Sequence, residues 1–286
     1  VSDWRKLERE TLEREYNARA TVPDVDAELR AYRAVSDEMY QRLPHRRGLR
    51  YGPGTDETLD LFPVPGQPDA PLFLFIHGGY WRALCKDDSV FMAQNFTSLG
   101  VAVAALDYSL APAAHLSLMV HQCRRAVAWL HDQATALGTD TRRMVVAGSS
   151  AGAHLAAMVL ASGWQARLGV PDDTVRGGVL VSGLYDLAPL CHALPQSWLN
   201  LNELDVLALS PQHHLPDRKL ALHVVAAQRD TGEFKRQSHD YARACEAFGC
   251  PTMLYEVEGR NHFDVIMDWT RPDSALTRSV LSLLPI

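Results

Sequence analysis

Apolar residues follow two rhythms that alternate along most of the chain. Six short, nearly continuous apolar runs end in glycine or in polar residues: LFLFIHGG (72–79), GVAVAALDY (100–108), RRMVVAGSS (142–150), GGVLVSGLYDL (177–187), ALHVVAAQRD (221–230) and TMLYEVEGRNH (252–262). Runs of this form predict strands buried on both faces. A weaker alternation, Thr58 to Phe62, predicts a short strand ahead of them. Between the runs, apolar positions recur at helical spacing over about 87–99, 117–137, 150–162, 198–209 and 235–248, with a last helix near 273–284. Residues 1–45, rich in Glu, Arg, Leu and Ala, also read as helical, and Pro23 with Asp24 marks a helix start.

Strands alternating with helices of this length imply βαβ crossovers, hence an α/β fold with a mainly parallel sheet covered by helices on both faces. The chain has no internal repeat, low-complexity tract or dividing linker, so residues 1–286 are expected to form a single domain. Ligands of open α/β sheets bind beyond the carboxyl ends of the strands. The residues to examine are therefore His77–Gly78–Gly79, Asp107–Tyr108, Ser149–Ser150, Ser182–Gly183, Asp230 and His262.

Composition acts chiefly by exclusion. A formal net charge of -6 without a basic cluster of any length argues against a nucleic-acid partner. No apolar run reaches the roughly 18 residues of a membrane span, and the charged N-terminus leads us to expect no signal peptide. The five cysteines, at 85, 123, 191, 245 and 250, are odd in number and lack CxxC spacing. They predict reduced thiols in a cytoplasmic protein. The 12 histidines form no HExxH, and His213–His214 reads as part of a polar loop. Neither a metal nor a cofactor is expected.

Candidate chemistry sits at the strand ends. Gly148-Ser149-Ser150-Ala151-Gly152 fits G-x-S-x-G with Ser150 at the centre, between a predicted strand and a predicted helix. In that context the motif forms a sharp turn that projects the serine Oγ and presents helix N–H groups to developing negative charge. Ser149 is then a structural turn residue. Upstream, FIHGGYW (75–81) places two glycines after a buried strand, where backbone N–H groups approach an oxyanion without Cβ obstruction. Gly78, Gly79 and Ala151 are the oxyanion-hole candidates.

His262, in the loop after the last predicted strand, is the candidate base, and Asp230, directly after the preceding strand, the candidate acid. Asp264 stands too close to His262 in sequence to orient its ring easily, and Glu233 is expected to cap or pair locally. The order Ser, Asp, His is that of the α/β-hydrolases.

HGGYW, KDDSVFM, GSSAGAHLAAMVLA, VSGLYDLAPL and RDTGEFKRQS together resemble the arylformamidase (kynurenine formamidase) branch of the α/β-hydrolases, from about residue 70 to the C-terminus. The resemblance implies Ser150 as nucleophile, Asp230 as acid, His262 as base and His77–Trp81 as oxyanion loop. It also implies hydrolysis of N-formylkynurenine to kynurenine and formate, with cleavage of aryl esters in many members. A formyl group needs little space, so an aromatic leaving-group pocket is expected, with Tyr80, Trp81, Tyr185 and Trp198 as candidate walls. The N-terminal helices and residues 185–204 are expected to cap the crevice.

The chain departs from the familiar pattern where Asp-Ser-Pro-Glu-Phe becomes Asp230-Thr231-Gly232-Glu233-Phe234, and where Ser149 replaces a frequent histidine. Other readings are a short-chain carboxylesterase, an aryl amidase or carbamate hydrolase, and a binding protein on the same fold without catalysis. The expected partner is a small aromatic amide or ester, with no nucleic acid and no membrane. The resemblance is compatible with a homodimer.

Overall fold

The computed structural model describes residues 3–217 and 219–284. In chain order the principal elements are α1 (Arg9–Glu15), α2 (Val25–Arg42), β1 (Arg46–Arg50), β2 (Thr58–Phe62), β3 (Ala70–Ile76), α3 (Ala93–Ser98) and β4 (Ala102–Leu106). They continue with α4 (Leu116–Leu137), β5 (Thr139–Ser149), α5 (Ala151–Leu160), β6 (Val175–Val181), α6 (Gln196–Leu199) and α7 (Glu203–Leu209). The chain closes with β7 (Ala221–Ala227), α8 (Gly232–Phe248), β8 (Thr252–Val257) and α9 (Ala275–Leu283).

The strands form one sheet in the order β1-β2-β4-β3-β5-β6-β7-β8. From β4 to β8 every neighbouring pair is parallel, while β2 runs antiparallel to β4 and β1 antiparallel to β2. Side chains alternate between two apolar layers, as the period of a strand requires. Leu72, Leu74 and Ile76 of β3 join Met144 and Val146 of β5 in a layer covered by α4, α5 and α8. Phe73 and Phe75, with Val145 and Ala147, face the other way onto α3, α9 and residues of α2. Burial on both faces explains why the apolar runs are continuous in β3 to β7; the sixth run departs from the expectation, because β8 lies at the sheet edge and none of its residues is fully buried.

The expected helices correspond to observed ones, with two differences. The 87–99 segment is a 3-10 turn at Lys86–Asp88 followed by α3, and the 198–209 segment is divided between α6 and α7. Asn200 interrupts the latter in the left-handed conformation at φ 48. β1 has no counterpart among the expected strands. Its sequence, RRGLR, is exposed at all but one position, so it carries no hydrophobic alternation and forms only as an edge strand paired on β2. Asp24 is the N-cap of α2 and accepts from Ala27 N at 2.9 Å. All five cysteines are free thiols, and no described helix is long and apolar enough to cross a membrane.

Candidate active site

Ser150 lies at the junction of β5 and α5 with φ 55 and ψ -120, a backbone region that non-glycine residues rarely occupy. Its neighbours show why the turn closes only with glycine at the flanking positions. A Cβ on Gly148 would lie 2.2 Å from Gly152 O, and a Cβ on Gly152 would lie 2.1 Å from Ile76 O. The turn is held by Ser150 N donating to Val181 O at 2.8 Å, and by Ala153 N donating to Ser150 O at 3.0 Å.

The loop after β3 packs against this turn. A Cβ on Gly78 would come within 2.9 Å of Ser149 O and 3.5 Å of Ser150 Cβ, so the backbone can pass here only as glycine. Gly79 has φ 93. The carbonyls of His77 and Gly78 both accept from Tyr108 Oη, at 3.0 and 3.2 Å. The His77 ring stacks on Tyr108 at 4.3 Å and donates from Nδ1 to Gly78 O at 2.9 Å. Burial pulls His77 down to about 4, so the imidazole behind the loop is neutral at pH 7 and acts as a hydrogen-bonding spacer. Gly78, Gly79 and Ala151 N–H make no hydrogen bond to another described residue, which leaves these donors for a ligand.

Asp230 follows β7, and His262 follows β8. His262 Nδ1 donates to Asp230 Oδ1 at 2.7 Å, with both residues buried. The second carboxylate oxygen, Oδ2, accepts from Ser182 Oγ at 2.5 Å and from Ala227 N at 2.9 Å. Each oxygen of the acid is thus engaged, and the ring it faces is fixed in direction. Glu233 instead pairs with Arg236 at 2.7 Å and accepts from Tyr16 Oη at 2.9 Å. Asp264 accepts from Asn261 N at 2.6 Å and shapes the loop that carries His262.

Ser182, one of the strand-end positions to examine, has no role assigned by its residue type. What marks it is conformational: φ 50 at the tip of β6, which turns the hydroxyl toward the acid of the neighbouring strand. No periodicity announces such a turn. The loops that carry Asp230 and His262 are also fastened from the N-terminal segment. Thr231 Oγ1 donates to Glu15 O at 2.5 Å, and Glu15 Oε2 accepts from Glu233 N at 3.1 Å. Tyr32 Oη donates to Phe263 O at 2.5 Å, and Asn261 Nδ2 donates to Glu28 Oε1 at 2.9 Å.

A cavity of about 420 Å³ opens over these strand ends, with Ser150, His262, Gly78 and Gly79 in its wall. Ala18, Leu29 and Tyr32 from the N-terminal segment, and Leu194 and Trp198 from the segment preceding α7, also line it. Of the four aromatic residues expected to line it, Tyr80 and Trp198 do so. Tyr80 Oη donates to Tyr16 O at 2.5 Å, and Trp198 Nε1 donates to Tyr80 O at 3.0 Å.

Trp81 and Tyr185 belong to the core, which corrects the expectation for both. Trp81 is fully buried and donates from Nε1 to His154 Nδ1 at 3.3 Å. Tyr185 lies flat on Tyr241 at 4.3 Å, away from the strand-end cavity. Both rings find better partners behind the site than in front of it. A larger groove of about 780 Å³ runs between residues 4–13 and 191–197 and contains none of the strand-end side chains. Among the described residues, no group of three His, Cys, Asp or Glu is placed to hold a metal ion.

The family model described as BD-FAE matches residues 59–174. Over 99% of both chains, the sequence is 32% identical to the kynurenine formamidase of Danio rerio. With that of Salmo salar it shares 33% identity, again over 99% of each chain. Among solved structures, a protein provisionally described as a thioesterase from Silicibacter sp. TM1040 superposes with a TM-score of 0.81 at 27% identity, covering 94% of this chain and 98% of that one.

Proposed function

We infer the reaction of this site from a premise of kinship: the chain belongs to the kynurenine formamidase family, within the α/β-hydrolases, and is a hydrolase of amide or ester bonds. The proposed activity is hydrolysis of N-formylkynurenine, or of a closely similar aryl formamide, to the free arylamine and formate. The observation that carries this reading is the 2.7 Å bond from His262 to Asp230 opening on the same cavity as Ser150.

In the proposed mechanism Ser150 Oγ attacks the formyl carbon while His262 Nε2 takes its proton. The carbonyl oxygen becomes an oxyanion and is met by the N–H groups of Gly78, Gly79 and Ala151. Asp230 holds the ring with Nε2 toward the serine and stabilises the imidazolium without taking the proton. His262 then gives that proton to the departing arylamine nitrogen as the C–N bond breaks. Water, deprotonated by the same histidine, attacks the formyl-serine and releases formate. The small formyl group fits beside the glycines, and the aryl group has the apolar wall of Leu29, Tyr80, Trp198 and Ile266.

Ser150→Ala is expected to fold as the parent does and to lose at least about 10³-fold in kcat toward N-formylkynurenine. The hydroxyl is also expected to take up an organophosphorus reagent. Retention of most activity in the variant, or labelling at another serine, would overturn the assignment. A kcat/KM that favours p-nitrophenyl acetate over N-formylkynurenine would instead identify a short-chain esterase using the same residues.

A further inference from the structure

The charge lining the cavity is out of keeping with the rest of the protein. The sequence has 34 Asp and Glu against 28 Lys and Arg, yet among the described residues no Asp or Glu lines the cavity, while Arg19 and Arg82 both do. Arg19 has a counter-ion, Asp26 at 3.3 Å. Arg82 has none within ion-pair distance among the described residues. Its guanidinium lies over the Trp198 ring at 4.4 Å from the centroid.

Three contacts fix where this cation stands. Arg82 N donates to Gly79 O at 3.1 Å, so its backbone belongs to the same tight turn as the oxyanion glycines. Trp198 is anchored by its Nε1 to Tyr80 O at 3.0 Å, and its edge-on contact with the Tyr80 ring fixes the plane on which the guanidinium rests. An arginine laid on an aromatic face keeps its fork of N–H donors free in the ring plane direction, the geometry that pairs with a carboxylate through two parallel hydrogen bonds. A lysine would present a mobile, strongly hydrated point charge instead.

We propose that Arg82, in the wall of the cavity that also holds Ser150, is a specificity-determining residue that recognises a carboxylate on the leaving group. The inference rests on the formamidase reading of the site and adds to it which part of the substrate is read. It also says what is not read: with no acidic residue among the described residues of the wall, an ammonium group on the same substrate has no counter-ion here. Selection among aryl formamides is then made by their negative charge, with the ring supplying apolar contact only.

The test compares N-formylkynurenine with its primary carboxamide, which differs in that one charge. The parent enzyme is expected to favour the carboxylate in kcat/KM. In Arg82→Gln the ratio of the two kcat/KM values is expected to fall about tenfold, chiefly through KM for the acid, as suits the loss of one charge-assisted contact. Arg82→Lys, which keeps the charge, is expected to retain part of the ratio, and added salt to compress it in the parent. An unchanged ratio in Arg82→Gln, or equal losses on both compounds, overturns the carboxylate site and leaves the formamidase reading standing. Hydrolysis of neither compound by a parent enzyme that still labels at Ser150 overturns the formamidase reading, and this inference with it.

Discussion

At the scale of single residues, the site depends on positions where backbone shape and chemistry coincide. Gly152 is one: alanine there would drive its Cβ to 2.1 Å from Ile76 O, backbone that cannot yield. Gly152→Ala is expected to cost about 3 kcal/mol or more in urea unfolding, beyond ordinary overpacking. Ser182 is the complementary case, a non-glycine residue at φ 50 whose hydroxyl bonds Asp230. Ser182→Gly removes that hydroxyl while relieving the backbone, so stability is expected to hold and kcat to fall about tenfold, the measure of one hydrogen bond to a charged group. A fall in the urea midpoint with kcat unchanged would show that the hydroxyl serves the fold alone. Ser150, Asp230 and His262 were legible because each stands immediately beyond an apolar run. Ser182 stands in an equivalent place, but a serine there carries no mark of its torsion or of the strand beside it. Trp81 and Tyr185 were misread for a related reason: an aromatic ring near a site has two faces to choose from, and sequence does not say which way it turns.

At the scale of elements, β3 to β7 were readable because burial on both faces leaves an apolar run with no interruption, whereas β8, the parallel edge strand, is fully buried at no position. β1 was not readable, because an exposed edge strand has no such run and forms only on the register that β2 offers. The N-terminal helices were readable as helices and were expected over the crevice, but the contacts that hold them there were not readable. Besides a ring contact of Tyr16 with Phe234, their contacts with the loops of Asp230 and His262 run through single polar atoms, about which hydrophobic periodicity says nothing. Tyr16 on the end of α1 is the hub of one such set, donating to Glu233 at 2.9 Å and accepting from Gln237 Nε2 at 2.8 Å. Tyr16→Phe removes one hydrogen bond from each of Glu233 and Gln237 in a buried place, although Arg236 still pairs Glu233 and Asp186 O still accepts from Gln237. The variant is expected to lose about 1–3 kcal/mol in urea unfolding, with a smaller effect on kcat than Ser182→Gly. The same contacts bear on Gly232, where a Cβ would lie 3.1 Å from Glu15 Oε2.

At the scale of the whole molecule, buried titratable groups set the response to acid. Burial holds His77 and His154 each at about 4, against an ordinary 6.5. Between those values the unfolded chain binds more protons than the native one, so their contribution to stability is present above pH 6.5 and lost as pH falls toward 4. Asp107 acts in the opposite sense: burial raises it from 3.8 to about 6, so its contribution is full below 3.8 and lost as pH rises through 6. The two histidines outweigh the one acid. The urea midpoint is expected to be lower at pH 4.5 than at pH 7, and Asp107→Asn to steepen that dependence. A midpoint that rises on acidification would contradict the neutral state assigned to both rings. The fastening of the strand-end loops by the first helices has one more consequence, in time rather than in space. Tyr16 and Glu233 are separated by 217 residues, and Tyr32 and Phe263 by 231. A chain leaving the ribosome N-terminus first must therefore hold its opening helices in reserve until nearly all the rest has emerged. The sheet can be assembled strand by strand, but the loops that carry Asp230 and His262 are secured only when these distant segments meet, and hydrolytic activity should be the last property a newly made molecule acquires.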